Sequence, residues 1–473
     1  MNNNRIIKGA KWSFIEKFSA QFIQFFLSIF IARLVMPAEY GLIAMLTIFL
    51  SVAQIFIDSG FSNALVQKQD RTQVDYSTVF YFNIVFSVFL YVLFWIAAPL
   101  IADFYDEPRL TLIIRVSFLS LVVNAATIIQ RTVLQVDFNF KKNAIINLLA
   151  IILSGGVGLL LAFWEYGVWA LVAQSLLMSC ITCVLLWIKV KWRPTNQFSY
   201  QSFKSLFNFG SKLLGCALAD TIYTNLYNLI IGKTYTVRDL GLYNRAYTLS
   251  QLPSRNIYYS LRGVVFTMFC EKQDDKAELE KSYEKVIQAF CFFIFPIMVF
   301  LSFFSKEIID VLLSDKWNGA SSYLSILSIA FMFFPVMISL WDLVNSLGYS
   351  DYALKAEIIK KVVGIVLIVI SLNFGMIALC ISSLINNLAD MAIMTYFSRK
   401  ITSFGYKKLI RLQSSFLLIS ILSGFAAYSV HFFISNNFLI VLVGVIMFTM
   451  VYLLFALLLK IDQYKIVFKL FGE

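Results

Sequence analysis

Apolar runs of about twenty residues recur along the whole chain, and that spacing constrains its fold most. A helix needs about 20 mostly apolar residues to cross a hydrocarbon core. Fourteen segments qualify: 12–36, 41–66, 77–101, 110–134, 144–164, 167–190, 206–232, 240–268, 284–305, 320–346, 354–373, 376–398, 410–433 and 437–460. The second, seventh and eighth carry charges and polar residues, whereas spans 3, 5, 6, 9, 11, 13 and 14 read as almost uniformly apolar. Of the 473 residues 60% are hydrophobic and only 14% are charged, against about 25% charge in an ordinary soluble chain. No soluble core hides that much apolar surface, so the solvent is lipid. The longest connection, "CEKQDDKAELEKSYEK" at 270–285, leaves no room for a soluble domain.

The net charge of +12 is spread between the runs and forms no long basic block. That pattern orients a membrane protein and points to no nucleic-acid partner. With both termini cytoplasmic, Lys68, Arg71, Lys141, Lys142, Lys189, Lys191, Arg193, Arg399, Lys400, Lys407 and Lys408 all fall on the inner side, where anionic lipids hold them. The start, "MNNNRIIKGAKWSF", lacks the apolar core and small-residue site of a cleavable signal, so the first span is expected to stay. Cys180 and Cys183 have C-x-x-C spacing on an apolar run with no further ligands nearby, and they read as small hydrophobes. Tryptophans fall mostly near span ends, as an aromatic belt would, and His431 stands at the outer end of span 13.

Two stretches two hundred positions apart have the same shape. Gly9-Ala-Lys11 precedes a polar-spotted helix and "PAEYGL" at 37–42; Gly210-Ser-Lys212 precedes another and "VRDLGL" at 237–242. In each, an acid stands two residues before a Gly-Leu that opens the next helix. Pro37 stops the first span. Glu39 and Asp239 sit at helix starts, where negative charge complements the dipole, and the glycines permit a tight turn. The motif therefore reads as an outer-side helical hairpin, structural rather than catalytic, with Arg33 snorkelling to the interface. The repetition predicts two six-span halves in parallel orientation about a pseudo-two-fold axis. The expected organisation is an N-lobe at 1–190 (spans 1–6), a cytoplasmic linker at 191–205, a C-lobe at 206–400 (spans 7–12), and spans 13–14 with a cytoplasmic tail at 401–473.

The stretches "ARLVMPAEYGLIAML" (32–46), "SGFSNALVQK" (59–68), "YGVWALVAQSL" (166–176) and "LGLYNRAYTLSQLP" (240–253) carry a resemblance. The chain resembles the polysaccharide-transport branch of the multidrug/oligosaccharidyl-lipid/polysaccharide exporter superfamily, the flippases of lipid-linked oligosaccharides. It looks most like the lipopolysaccharide, colanic-acid and teichuronic-acid exporters. The resemblance implies an all-α integral membrane protein of about 14 transmembrane helices, two lobes around a cavity opening alternately to each side, and two extra C-terminal helices. It implies export of an undecaprenyl-pyrophosphate-linked sugar chain across the bacterial cytoplasmic membrane. The partners it implies are the lipid carrier, the bilayer, and the polysaccharide polymerase and chain-length machinery; spans 13–14 would form a groove for the lipid tail.

Ionisable residues inside spans are costly and default to functional hypotheses. Spans 1, 2, 7 and 8 hold most of them and would line a cavity between lobes. Arg255 and Arg262, seven apart, share a face of span 8. With Lys212, Lys17 and Arg245 they are the expected cationic contacts for a pyrophosphate and its sugars. The other reading pairs each cation with Glu16, Asp58, Asp220 or Asp342 as a structural bridge. The carboxylates Asp220, Asp58, Glu16, Asp342 and Asp390 are the candidates for carrying a coupling ion, proton or sodium, with Asp220 placed near mid-membrane and desolvated. No other cofactor is expected. An ion-coupled drug exporter of the same superfamily would want a smaller, more acidic cavity. An enzyme such as a polymerase would need a sizeable loop with an acid or His cluster, and no phosphate-cradling Gly-rich loop appears. A non-transporting scaffold would not explain charges in paired helices.

Overall fold

The computed structural model describes the backbone of residues 3–58 and 60–459, and the side chains of 18–58, 60–211 and 214–459. The chain divides into two compact units, Met1–Gly241 and Leu242–Glu473. Among the described residues every regular element is helical. The first unit holds α1 (Asn3–Leu34), α2 (Pro37–Asp58), α3 (Phe61–Gln67), α4 (Gln73–Tyr105), α5 (Leu110–Ser117), α6 (Leu119–Ala125), α7 (Ile128–Val136), α8 (Phe140–Phe163), α9 (Val168–Lys189), α10 (Tyr200–Thr234) and the first residues of α11 (Val237–Glu271). The second holds the rest of α11, then α12 (Lys276–Phe303), α13 (Ser305–Leu313), α14 (Ala320–Met332), α15 (Phe334–Ser346), α16 (Ser350–Ser371), α17 (Met376–Ser398), α18 (Tyr406–Tyr428) and α19 (Asn437–Leu458).

Among the described residues, ten helices or helix pairs are long and apolar enough to cross a membrane. Their outward side chains, such as Val85, Leu100, Phe163 and Ile188, are exposed and apolar, as a lipid-facing surface requires. The chain is a multi-pass membrane protein. The remaining sequence segments fall on α1, whose described apolar part is Phe18–Leu34, and on α10, α11 and α16. The last corrects the reading of span 11 as uniformly apolar: α16 carries Glu357 and Lys360, and Lys360 is buried at 6% exposure.

Small residues decide how closely the helices pack, since lipid supplies no hydrophobic drive between them. A Cβ on Gly155 of α8 would stand 2.3 Å from Leu27 Cδ1 of α1, and one on Gly158 would stand 2.9 Å from Gln174 Cβ of α9. In the second unit Gly424 of α18 abuts Phe303 and Val299 of α12, and Gly444 of α19 receives the Phe304 ring. The two C-terminal helices thus pack on α12 and on the residue that joins it to α13. Tyr452 seals this contact by donating to the Phe292 carbonyl at 2.9 Å.

The duplicated hairpin motif meets itself. A Cβ on Gly41 would lie 1.9 Å from the Val237 carbonyl oxygen, and one on Gly241 would lie 1.9 Å from the Pro37 carbonyl oxygen. The contact is reciprocal, each glycine receiving the carbonyl four residues before the other. The start of α2 and the start of α11 therefore cross at van der Waals distance about a local two-fold. α10 continues the contact along α2 and α3. Gly232 lies against Tyr105 and Met45, and at the other end Gly60, with φ +71, sits on the Gly210 backbone. Phe203 and Phe207 then close on Phe61.

The two acids of the motif do different work. Asp239 accepts from Thr236 Oγ1 at 2.6 Å, and Thr236 Oγ1 accepts from the Asp239 amide at 3.1 Å, so this acid caps its own helix. Glu39 instead reaches α9, where Oε2 accepts from the Val168 amide at 2.9 Å, and Arg109, 3.2 Å from its Oε1. Arg109 also holds Glu107 at 2.8 Å, which keeps that carboxyl below the usual range. Arg33 is exposed at the end of α1. The linker is laid along the start of α4: Gln73 Nε2 donates to the Arg193 carbonyl at 2.6 Å, and the Ser199 amide donates to Thr78 Oγ1 at 3.0 Å.

An alanine at an ordinary exposed helix position would stabilise relative to glycine by about 1 kcal/mol. At Gly41 or Gly241 the sign should reverse. Gly41→Ala and Gly241→Ala should each cost about 1–3 kcal/mol through overpacking, and the double variant should cost less than their sum, since both relieve one contact. Thermal melting in detergent checks this; variants as stable as the parent would refute the close crossing.

Candidate functional site

The ionisable residues inside helices sort by what they touch. α11 carries three of the expected cations and is interrupted by Pro253. Proline removes an amide from the helical ladder and frees a carbonyl. Beside it, Ser254 Oγ donates 2.7 Å to the Phe331 carbonyl near the end of α14, where that helix gives way to α15. Arg255 and Arg262 follow on this interrupted segment, and α15 supplies the groups that face them.

Arg262 meets Asp342. Its Nη2 donates to Oδ1 at 2.9 Å and its Nε to Oδ1 and Oδ2 at 3.2 and 3.1 Å. Tyr258 donates a further short hydrogen bond to Asp342 Oδ2. The carboxylate is 0% exposed, while 37% of the Arg262 side chain remains open. A bidentate guanidinium plus a phenol satisfies a buried carboxylate well. Two residues expected to serve different tasks, a substrate cation and an ion-coupling acid, are thus brought together as one bridge.

Arg255 is held otherwise. Its Nη1 donates to Gln251 Oε1 at 2.8 Å, one turn back on the same helix. Its guanidinium carbon lies 5.4 Å from the Phe334 ring centroid, within cation–π range. Among the described residues no carboxylate stands within ion-pair distance of it, and its Nε is buried without a hydrogen bond. Arg245, ten residues earlier on the same helix, is buried at 6% exposure.

The acids differ as much. Asp220 is exposed on α10. Asp390 on α17 is buried, and its Oδ1 has no hydrogen bond among the described residues. The charges acting on it are Lys360 and Glu357 of α16. Lys360 Nζ stands 2.7 Å from Glu357 Oε1 and 3.5 Å from Met337 Sδ. Sequence reasoning missed both residues of α16 because a hydropathy average over span 11 hides one buried ammonium among isoleucines and valines. The i, i+3 spacing of Glu357 and Lys360 was the available signal. Glu16, Lys17 and Lys212 lie outside the residues whose side chains are described.

Asp58 ends α2. Its Oδ1 accepts from Ser62 Oγ at 2.6 Å and from the Ser62 amide at 3.4 Å, across the break at Gly60. It also borders a cavity of about 320 Å³, lined by Gln54, Asp58 and Ser62 on one wall and Arg131, Thr132 and Gln135 of α7 on the other. His431 lies just past the end of α18, with Nε2 3.1 Å from Glu307 Oε1 and Nδ1 2.9 Å from the Tyr428 carbonyl.

Among solved structures, the lipid II flippase MurJ in an inward closed conformation superposes with a TM-score of 0.78 at 16% identity, covering 95% of this chain and 98% of that one. That likeness shows the fold. In sequence, the teichuronic acid biosynthesis protein TuaB of Bacillus subtilis is 25% identical over 351 residues, 74% of this chain and 73% of the relative. The lipopolysaccharide biosynthesis protein WzxC of Escherichia coli is 23% identical over 396 residues, 83% of this chain and 80% of the relative. The family model described as polysaccharide biosynthesis protein matches residues 30–322. With more than half of its length matched, the chain belongs to this polysaccharide biosynthesis protein family.

Proposed function

We propose that the protein is a flippase that carries an undecaprenyl-pyrophosphate-linked oligosaccharide across the bacterial cytoplasmic membrane by alternating access, for surface polysaccharide. The observation that carries this reading is Arg255: a half-buried guanidinium on an interrupted helix, with a glutamine and an aromatic ring but no acid beside it among the described residues. Burying such a charge is costly unless an anion arrives to meet it. A pyrophosphate is that anion, and a guanidinium binds its oxygens in pairs. The names of the relatives, which make teichuronic acid and lipopolysaccharide, supply the class of glycan. No ATP site is invoked. All fourteen helical segments cross in this reading, with both termini cytoplasmic, and the duplicated hairpin motif supports a chain built from two repeated halves. Asp390, buried without a hydrogen bond on Oδ1, is the carboxylate best placed to take a coupling proton or sodium ion.

The test is transbilayer movement of a fluorescent undecaprenyl-pyrophosphate oligosaccharide in liposomes. Losing a charge-assisted contact costs about 1.5–3 kcal/mol, so Arg255→Ala should slow movement about tenfold or more. Arg255→Lys should recover only part of it, because an ammonium cannot bind bidentately. Movement at the parental rate in Arg255→Ala would sink the assignment, and no movement by the parent with a natural glycan would sink the flippase reading.

Arg262 should behave differently, because its partner is internal. Arg262→Ala strands a buried carboxylate and should lower the melting temperature, whereas Arg255→Ala should leave it nearly unchanged. Arg262→Met combined with Asp342→Leu should regain most of the lost stability. Equal melting temperatures for the two single alanine variants would contradict this division.

A further inference from the structure

The cavity beside Asp58 has a lining the mechanism above does not use. α7 presents Ile128, Arg131, Thr132 and Gln135 at i, i+3, i+4 and i+7, one face of a helix. Gln54 and Asp58, one turn apart on α2, and Ser62 beyond the break complete the opposite wall. The set joins one carboxylate, one guanidinium, two amides and two hydroxyls, with Ile55 and Ile128 as the apolar patches.

Each group has capacity to spare or a fixed place. Both hydrogen bonds to Asp58 fall on Oδ1, so Oδ2 is unengaged among the described residues. Gln54 accepts at 3.4 Å from Asn124, which orients its amide. Thr132 is tied at 3.0 Å to the Ile128 carbonyl. A carboxylate acceptor, amides that both donate and accept, and a guanidinium fork match vicinal hydroxyls, and an isoleucine floor suits the C–H face of a ring. Charge narrows the ligand further. One acid and one base sum to zero, and the carboxylate repels a phosphate, so the cavity is no second pyrophosphate site. The paired base likewise weakens any claim on a lone organic cation. At about 320 Å³ it lies at the small end of ligand pockets, sized for one ring rather than a chain.

We propose that this cavity between α2–α3 and α7 is a binding site for one neutral, polyhydroxylated sugar ring of the transported glycan. The proposal rests on the flippase reading and gives it a site that senses the sugar rather than the lipid anchor. Asp58 and Gln135 bind ring hydroxyls, and Arg131 sets the wall opposite Asp58. A lipid carrier without its sugar makes none of these contacts, so the site favours loaded carrier over empty carrier.

The full-length protein in nanodiscs tests it, with two probes: the lipid-linked oligosaccharide extracted from the source cells, and synthetic undecaprenyl pyrophosphate. The readout is the ratio of their dissociation constants, measured by thermophoresis. Two polar contacts predict a parental preference of about tenfold or more for the sugar-bearing lipid. Asp58→Asn keeps the bond to Ser62 but loses the charge, and Gln135→Trp fills the cavity from an exposed position. Both should bring the ratio close to one. A parental ratio near one, or variants that keep the parental preference, would overturn the sugar site while leaving pyrophosphate binding and the flippase reading standing. Parental failure to bind either lipid would overturn both. The free oligosaccharide as competitor separates sugar chemistry from the tethered lipid: it should displace the loaded probe from the parent and not from Gln135→Trp, and equal displacement from both would refute the site.

Discussion

A polar atom in hydrocarbon has no water to turn to, and leaving one unpaired costs several kcal/mol. The places where helices stop show this constraint most clearly. Arg193 donates to the carbonyls of Val190 and Trp192 at 2.7 Å at the end of α9. Arg71 does the same at the end of α3, reaching Leu65, Val66 and Lys68. At helix starts the acids serve: Glu39 for α9, and Asp75 for α4 through a capping box with Thr72. Much of the positive charge that would set topology from the sequence is therefore also spent on carbonyls, and orientation and capping are one economy of charge at the membrane edge.

Glycine is the second device, and it works where capping cannot. Two helices whose backbones must touch need positions with no side chain, and the chain supplies them in matched pairs. The reciprocal approach of Gly41 and Gly241 is the tightest, because each side meets the other's carbonyl and neither has a flexible group to move. Gly155 and Gly158 differ: they receive side chains, the end of Leu27, which can yield, and the root of Gln174, which yields less. Backbone contacts of the first kind fix where helices cross, while side-chain contacts of the second kind only tune how close they lie.

The helices and the duplicated hairpin were legible because both rest on local rules, hydropathy length and the acid-x-Gly-Leu punctuation. That the two copies would pack on each other was not, since spacing along the chain says nothing of contact. Glu39 and Asp239 look equivalent in sequence, yet one caps its own helix and the other reaches a helix 129 residues on. The charged residues were found, and Asp342 stood among the acids offered as bridge partners, but which cation it meets was not legible. Arg262 and Asp342 are eighty positions apart, and no periodicity links them. Lys360 and the Arg131–Gln135 face went unread because window averages and the focus on paired helices passed over them.

The arrangement of charge argues for an amphiphilic substrate rather than a uniform one. A site for a small cation would present acids in excess, yet the best-buried acid facing α11, Asp342, is consumed by Arg262 and Tyr258. A site for a simple anion would present several free cations, yet of the two arginines that follow Pro253 on α11, Arg262 is bridged to an acid and Arg255, among the described residues, is not. The second unit thus offers Arg255, with no acid beside it among the described residues, and the first a cavity whose charges cancel and whose lining carries two amides and two hydroxyls. In the flippase reading proposed above, a lipid-linked sugar carries both chemistries, a compact anionic joint and a neutral hydroxylated body. Neither feature alone would select it: the guanidinium would take any phosphate and the cavity any polyol. In that reading, selectivity comes from a ligand that carries both chemistries.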